Sequence, residues 1–218
     1  MTVRIAALFA LVAALAGCAV PGAPRYSDVQ DGQFRTAKAT SAVTLKHTQT
    51  VGVIFTENTV ANLAYMERYN AAAQTGIAAK LTDSRISEAY VNSSDPELAI
   101  NWFAESLEKQ FATVEFYENL DDVLAARPDV IVLLDTRSKL ITERSADVQA
   151  SITAEFFDGD FKFIGKAEGS DARSMSPIWA HTKRAPEIAE QINQQREVQI
   201  NALQKFDASL ESLIKAAS

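Results

Sequence analysis

From Val148 to Phe157 the chain alternates with a period of two. Val148, Ala150, Ile152, Ala154 and Phe156 fall on one side of an extended backbone, and Gln149, Ser151, Thr153, Glu155 and Phe157 on the other. A strand of this kind buries one face and wets the other, which a helical period cannot do. Asp158-Gly159 follows and is the dipeptide most favoured in two-residue hairpin turns. A two-residue turn sets Phe156 against Phe161, Ala154 against Phe163, and Glu155 against Lys162. Apolar then meets apolar on one face and opposite charges meet on the other. The same register leaves Phe157 and Ile164 on the polar face, where they read as a candidate contact surface.

Two further runs complete the core of a sheet. Val51-Gly52-Val53-Ile54-Phe55 and Asp129-Val130-Ile131-Val132-Leu133-Leu134 are nearly continuous apolar stretches, as interior strands covered on both faces require. The second is the more apolar and belongs at the sheet centre, while Val114-Glu115-Phe116-Tyr117 adds a shorter strand. Between them lie helical patterns. Val60, Leu63, Ala64, Ala71 and Ile77 recur at helical spacing towards Ala79, with Gly76 interrupting the second half, and Arg85 to Val91 is open to reading as an extra strand. Ser94-Asp95-Pro96-Glu97 opens a helix carrying Leu98, Trp102, Phe103, Leu107 and Phe111 as one apolar stripe, in which Trp102 reads as core. Asn119 can cap a short helix through Ala126, which Arg127-Pro128 stops.

Ala185-Pro186-Glu187 opens a last helix running towards the end of the chain. Ile188, Ile192, Leu203, Phe206, Leu210 and Leu213 line its apolar side, but Asn193, Gln194, Gln195, Arg196 and Glu197 make its middle polar. Such a helix is packed only at its ends, bends there, or meets a partner, so Gln195 is a candidate interaction residue. Sustained heptads are missing, which favours packing on the sheet over a coiled coil. The fold expected is α/β: a single three-layer or two-layer domain with a mixed sheet of about five strands, a β-hairpin and a long C-terminal helix.

Ahead of this domain, Met1-Thr2-Val3-Arg4 gives a positive start, Ile5 to Leu15 an apolar core, and small residues lead to the single cysteine, Cys18. The layout is that of a secretory signal, too short for the ~20 residues of a membrane-spanning helix. Leu15-Ala16-Gly17-Cys18 resembles the lipobox of bacterial lipoproteins. The resemblance implies cleavage before Cys18 and a covalent diacylglycerol and acyl chain on its thiol, with no other cofactor. The residue after the cysteine is Ala19 rather than Asp, which in this resemblance implies the outer membrane, facing the periplasm. Residues 1–17 are thus the expected signal peptide and residues 18–40 a lipidated tether broken by Pro21, Gly22, Pro24 and Gly32. A flexible tether of ~20 residues has a root-mean-square reach of ~25 Å. Residues 41–218 form the expected periplasmic domain.

Composition narrows the partners. With Cys18 acylated no thiol remains for a disulfide, so the fold holds by its core, and a hydrophobic fraction of 47% supplies one. The net charge of -7 becomes one unit more negative once Arg4 leaves with the signal. Such a chain lacks the basic footprint that nucleic acid demands. His47 and His181 each stand without a second ligand at metal spacing, so no metal site is expected. Asp158-Gly159-Asp160 reads as a turn rather than a calcium loop, since the remaining EF-hand ligands are missing. No phosphate loop, Gly-x-Ser-x-Gly elbow or His-Glu-x-x-His occurs, and no catalytic residue is expected. Trp179, in an irregular segment between Pro177 and His181, is a further candidate for a binding surface.

The order strand, helix, strand, short helix, strand, hairpin, long helix resembles the periplasmic domains of a group of bacterial outer-membrane lipoproteins. The group includes the curli-secretion lipoprotein, the Tol amino-terminal domain, activators of penicillin-binding proteins, and auxiliary lipoproteins of lipid-transporting ABC systems. Val51 to Phe55, Ala99 to Val114, Pro128 to Leu134, and Ala150 to Ile164 with Phe-Phe-Asp-Gly carry the resemblance. It implies a non-catalytic lipoprotein that binds envelope proteins or copies of itself and supports assembly or transport. The alternative it implies is a lipid- or glycan-binding transporter accessory, with an apolar cleft beside the sheet. The pore-forming member's long lipid-facing strands have no counterpart here.

Overall fold

The computed structural model describes residues 20–28, 40–75, 83–142, 144–177 and 183–216. Five strands and five helices occur among them. In chain order they are β1 (Thr50–Phe55), α1 (Glu57–Thr75), α2 (Ser84–Asn92), α3 (Leu98–Glu108), β2 (Thr113–Tyr117), α4 (Leu120–Ala126), β3 (Val130–Lys139), β4 (Asp147–Asp158), β5 (Phe163–Ser174) and α5 (Ala185–Ala216). The strands form one mixed sheet in the order β2-β1-β3-β4-β5. The β1 strand runs parallel to both β2 and β3, and β4 runs antiparallel to β3 and β5. The strand that opens with the most apolar run, Val130–Leu134 of β3, is therefore central, as that run requires.

Alternation sorts the side chains onto two unlike faces. Val51, Val53, Val130, Val132, Leu134, Ile152, Ala154 and Phe156 join one core with Phe103 and Leu107 of α3, Phe111 just beyond it, and Leu203, Phe206 and Leu210 of α5. A second cluster continues this layer towards the far end of β3. There Tyr65, Met66 and Tyr69 of α1 meet Ile86, Ala89 and Tyr90 of α2 and Ile188, Ile192 and Val198 of α5. The opposite face carries a small cluster of Ile54, Val123, Ile131, Leu133 and Phe157 beneath α4.

Several local expectations change. Arg85 to Val91 is not a strand: Ile86, Ala89 and Tyr90 recur at i, i+3 and i+4 and are buried along α2, whose N-cap Asp83 accepts from the Arg85 N–H. The first helix starts at Glu57, three residues before the expected Val60, while its expected end at Ala79 lies outside the described residues. At the next start, Asp95 accepts from the Glu97 N–H at 3.0 Å, but α3 begins at Leu98 and its N-cap Glu97 has no side-chain capping bond. The Asn119 cap does form, accepting from Asp122 N, and Arg127 closes α4 in the left-handed conformation.

The hairpin also takes another register. Phe157 pairs with Phe163, Phe156 with Gly165, Glu155 with Lys166 and Ala154 with Ala167, with a bulge between Phe156 and Phe157. Asp158 N–H donates to Lys162 O, Phe161 N–H to Asp158 O, and Phe161 takes a φ of 60°. This is a turn followed by a left-handed residue, the longer hairpin solution. Its cause is the Asp158 side chain, which accepts from the N–H groups of Asp160 and Lys162 and from Ser41 Oγ at 2.5 Å. Ser41 and Thr40 also bridge to Phe163, so a distant segment fixes the turn.

Candidate functional site: the uncovered sheet face

The central strand outruns its parallel neighbour. Register with β1 ends at Leu134, yet β3 continues through Asp135, Thr136, Arg137, Ser138 and Lys139. The edge so opened is closed by side chains. Thr59 Oγ1 donates to Leu134 O and accepts from Thr136 N–H, while Tyr26 Oη donates to Ser138 O at 2.8 Å and accepts from Ser138 N–H at 3.0 Å. Backbone groups left without a strand partner must be satisfied in some such way.

These contacts revise the tether. Ser27 N–H donates to Asn58 Oδ1, Asn58 Nδ2 donates to Ser27 O, and Arg137 reaches Ser27 O and the Asp28 carboxylate. Val20 and Ala23 pack on the cluster around Tyr69. Residues 20–28 are therefore docked on the domain, because the unpaired stretch of β3 offers hydrogen bonds that a free linker would leave to water.

Beyond the shelter of α4, the face opposite the helices turns polar and open. Asp135, Arg137, Ser151, Thr153 and Glu155 line a concavity of about 340 Å³ together with Asp28, Thr56 and Leu133. A neighbouring concavity of about 490 Å³ shares Arg137 and Ser151 and extends the trough to Tyr26, Gln149 and Ser170. Arg137 is the hub. Its Nε lies 2.7 Å from Asp135 Oδ1 and its Nη1 lies 2.6 Å from Asp28 Oδ1. The Asp135 carboxylate, bonded to the guanidinium, holds Arg137 above its ordinary value. Partial burial pulls the other way, and Asp28 adds to the rise. Asp135 also accepts from Asn58 Nδ2 at 2.7 Å. The chemistry of the trough is that of paired charges, amides and hydroxyls suited to recognition through hydrogen bonds.

The candidate residues from the sequence do not gather here. Phe157 is 1% exposed and packs beneath α4, and Gln195 is 0% exposed, so neither offers the surface expected of it. Ile164 is half-buried against the helix-side core. Trp179 lies outside the described residues, as do Cys18 and His181. His47 Nδ1 sits 3.0 Å from Gln110 O and does not line the trough. The residues missed were Asp135 and Arg137. Their signal is the alternation Asp135-Thr136-Arg137-Ser138-Lys139, which continues the strand past its apolar run.

Gln195 is buried for a definite reason. Its Nε2 donates to Ser93 Oγ and its Oε1 accepts from Ile141 N–H, while Gln199 donates to Ser93 O and Arg196 to Asn92 O. Ser93 is the C-cap of α2. The polar middle of α5 thus satisfies groups that the end of α2 leaves open. The partner expected for this stretch is another helix of the same chain.

Among the described residues no group of three or more His, Cys, Asp or Glu is arranged to hold a metal ion, and no helix is long and apolar enough to cross a membrane. The space between α3, β3, β4 and α5, where Leu98, Ile152, Ala202 and Leu203 meet the polar Thr136, Ser151 and Gln199, measures about 20 Å³. This is room for about one water, which needs ~10–15 Å³. An acyl chain does not fit it.

No family model matches the sequence, and no curated protein matches it. Among solved structures the chain is similar to a dodecameric PelC variant from Paraburkholderia phytofirmans, with 12% identity and a TM-score of 0.29, covering 74% of this chain and 97% of that one. A PelC dodecamer from the same organism in another crystal form gives 9% identity and a TM-score of 0.27, covering 74% and 96%. Likenesses at these scores carry no weight for fold, function or assembly.

Proposed function

We propose that the chain is an outer-membrane lipoprotein, acylated on Cys18 and facing the periplasm, whose α/β domain binds an envelope protein and has no catalysis of its own. The observation that supports this reading is the uncovered half of the sheet. Helices α1, α3 and α5 pack on one face, α4 shelters only the apolar end of the other, and the remainder presents Asp135, Arg137, Ser151, Thr153 and Glu155 in a shallow trough. A trough rimmed by paired charges and hydroxyls suits a polar protein surface better than an acyl chain.

Photocrosslinking in intact cell envelopes tests this. A photoreactive residue at Thr153 or Ser170 captures one defined envelope protein, and the same residue at exposed Gln204 on α5 does not. Equal capture from all three positions, or none from the sheet face, refutes the reading.

A further inference from the structure

The docked segment restricts where an anchor can emerge. From Asp28 at Arg137 the chain passes Tyr26 at Ser138 and reaches Ala23 and Val20, which pack against the cluster containing Leu140 and Ile141 just beyond β3. Val91, Met175 and Ala185 pack against that same cluster. The path therefore leads to the pole where β3 and β5 end and β4 and α5 begin. The hairpin of Gly159 and Asp160 lies at the other end of β4, whose 12 residues span ~40 Å.

Cys18 is two residues from Val20. Two residues cover at most ~7 Å, against the ~25 Å reach of a free tether. Three exposed arginines belong to segments at this pole: Arg25 beside Ala23, Arg144 in the β3–β4 connection, and Arg184 just before α5. None of the three is in an ion pair among the described residues. Arginine heads at this position suit lipid phosphates, to which the guanidinium fork is matched.

We propose that this pole is a bilayer-docking surface: the domain sits directly on the lipid headgroups with Arg25, Arg144 and Arg184 towards the phosphates and the Asp158–Lys162 hairpin pointing away. The partner committed to is the membrane in which Cys18 is anchored, so the inference rests on the lipoprotein reading. The trough then opens sideways, parallel to the membrane plane.

The test uses the full chain, expressed with its signal, purified in detergent and reconstituted into phosphatidylethanolamine–phosphatidylglycerol vesicles containing a lipid with a nitroxide headgroup. Acylation occupies the thiol of Cys18, so a cysteine introduced at Glu187 or Asp160 is the only site for a fluorophore. Quenching at Glu187→Cys exceeds that at Asp160→Cys at least fivefold. Inserting ten Gly/Ser residues between Ala19 and Val20, which leaves every described residue unchanged, brings the two values to within twofold. Equal quenching in the uninserted chain overturns the orientation while acylation, read from intact mass, still stands. An unacylated chain overturns both the anchor and the orientation. An insertion without effect shows that residues 20–28 do not set the geometry and also overturns the proposal.

Discussion

Gly169 is the point at which the long helix and the sheet approach most closely. A Cβ built there lies 2.0 Å from Ala202 O, 2.4 Å from Phe206 N and 3.0 Å from Phe206 Cα. Carbon contacts become favourable only near 3.5 Å, so Gly169→Ala forces backbone to retreat from backbone by more than ~1 Å. Rotamer changes do not relieve it. The retreat loosens Leu203, Phe206 and Leu210, all buried in the main core. Overpacking in a core costs typically 1–3 kcal/mol, and with backbone atoms on both sides the expected loss is at the top of that range, about 3 kcal/mol. For a chain of this size the loss corresponds to a Tm lowered by roughly 6–12 °C. The sign is diagnostic, because Gly→Ala at an unobstructed position of ordinary φ stabilises by ~0.4–1 kcal/mol through the unfolded state. At Gly165 the obstruction is the side chain of Leu213, at 2.4 Å, which can rotate. Gly165→Ala therefore costs about 1 kcal/mol. At Gly159 nothing lies within 4 Å, and Gly159→Ala falls within about 0.5 kcal/mol of the parent. Equilibrium urea denaturation followed by far-UV circular dichroism measures the series. A Gly169→Ala protein as stable as the parent, or more stable, refutes the close approach of α5 to β5.

Three further outcomes follow from buried polar groups. Burial pushes the phenols of Tyr26 and Tyr65 up to about 12 and raises Tyr69 well above its ordinary value. A raised folded value means stability fully present below the unfolded value near 10 and lost as pH rises towards 12. The urea midpoint falls over that window, and phenolate absorbance from these residues appears only with it; one wave of titration near pH 10 in the folded protein refutes the burial. At Asp158 burial pushes the carboxyl up, but bonds from Ser41 and from the N–H groups of Lys162 and Asp160 outweigh it and hold it below its ordinary range. Its contribution is therefore present at neutral pH and lost as pH falls through the carboxylate range. Asp158→Asn costs about 1 kcal/mol at pH 7 and less at pH 3, measured by denaturation at both; equal cost at the two pH values counts against the charge-reinforced turn. Gln195→Leu takes the acceptor from Ile141 N–H and one donor from Ser93 Oγ, which keeps its own bond to Ala89 O, and costs roughly 1–3 kcal/mol by the same measurement, whereas an unchanged midpoint shows that these groups do not depend on Gln195.

What was legible in the sequence was local, and what was not was set by residues far along the chain. Val51–Phe55 and Val130–Leu134 declare themselves as interior strands because helices cover both faces of this part of the sheet, and the Asn119 cap needs only Asp122, three residues away. The hairpin register fails that locality. Asp158-Gly159 favours a two-residue turn in isolation, but Ser41, 117 residues away, binds the Asp158 carboxylate, which also collects two N–H groups of its own loop. Phe157 fails it as well, since the face it occupies is covered by α4 at one end of β4 and open at the other, a division that strict alternation cannot express. The trough lies between these cases. Its Asp135 and Arg137 alternate legibly along β3, but their role as the clamp on Ser27 and Asp28 requires β3 to outrun β1, which depends on where Thr56 and α1 turn the chain away. The same overrun leaves Ser138 for Tyr26 to satisfy. One mismatch in strand length thus creates the polar trough and binds the segment leading from Cys18 beside it, so a change that lengthened β1 would displace that segment and alter the trough together.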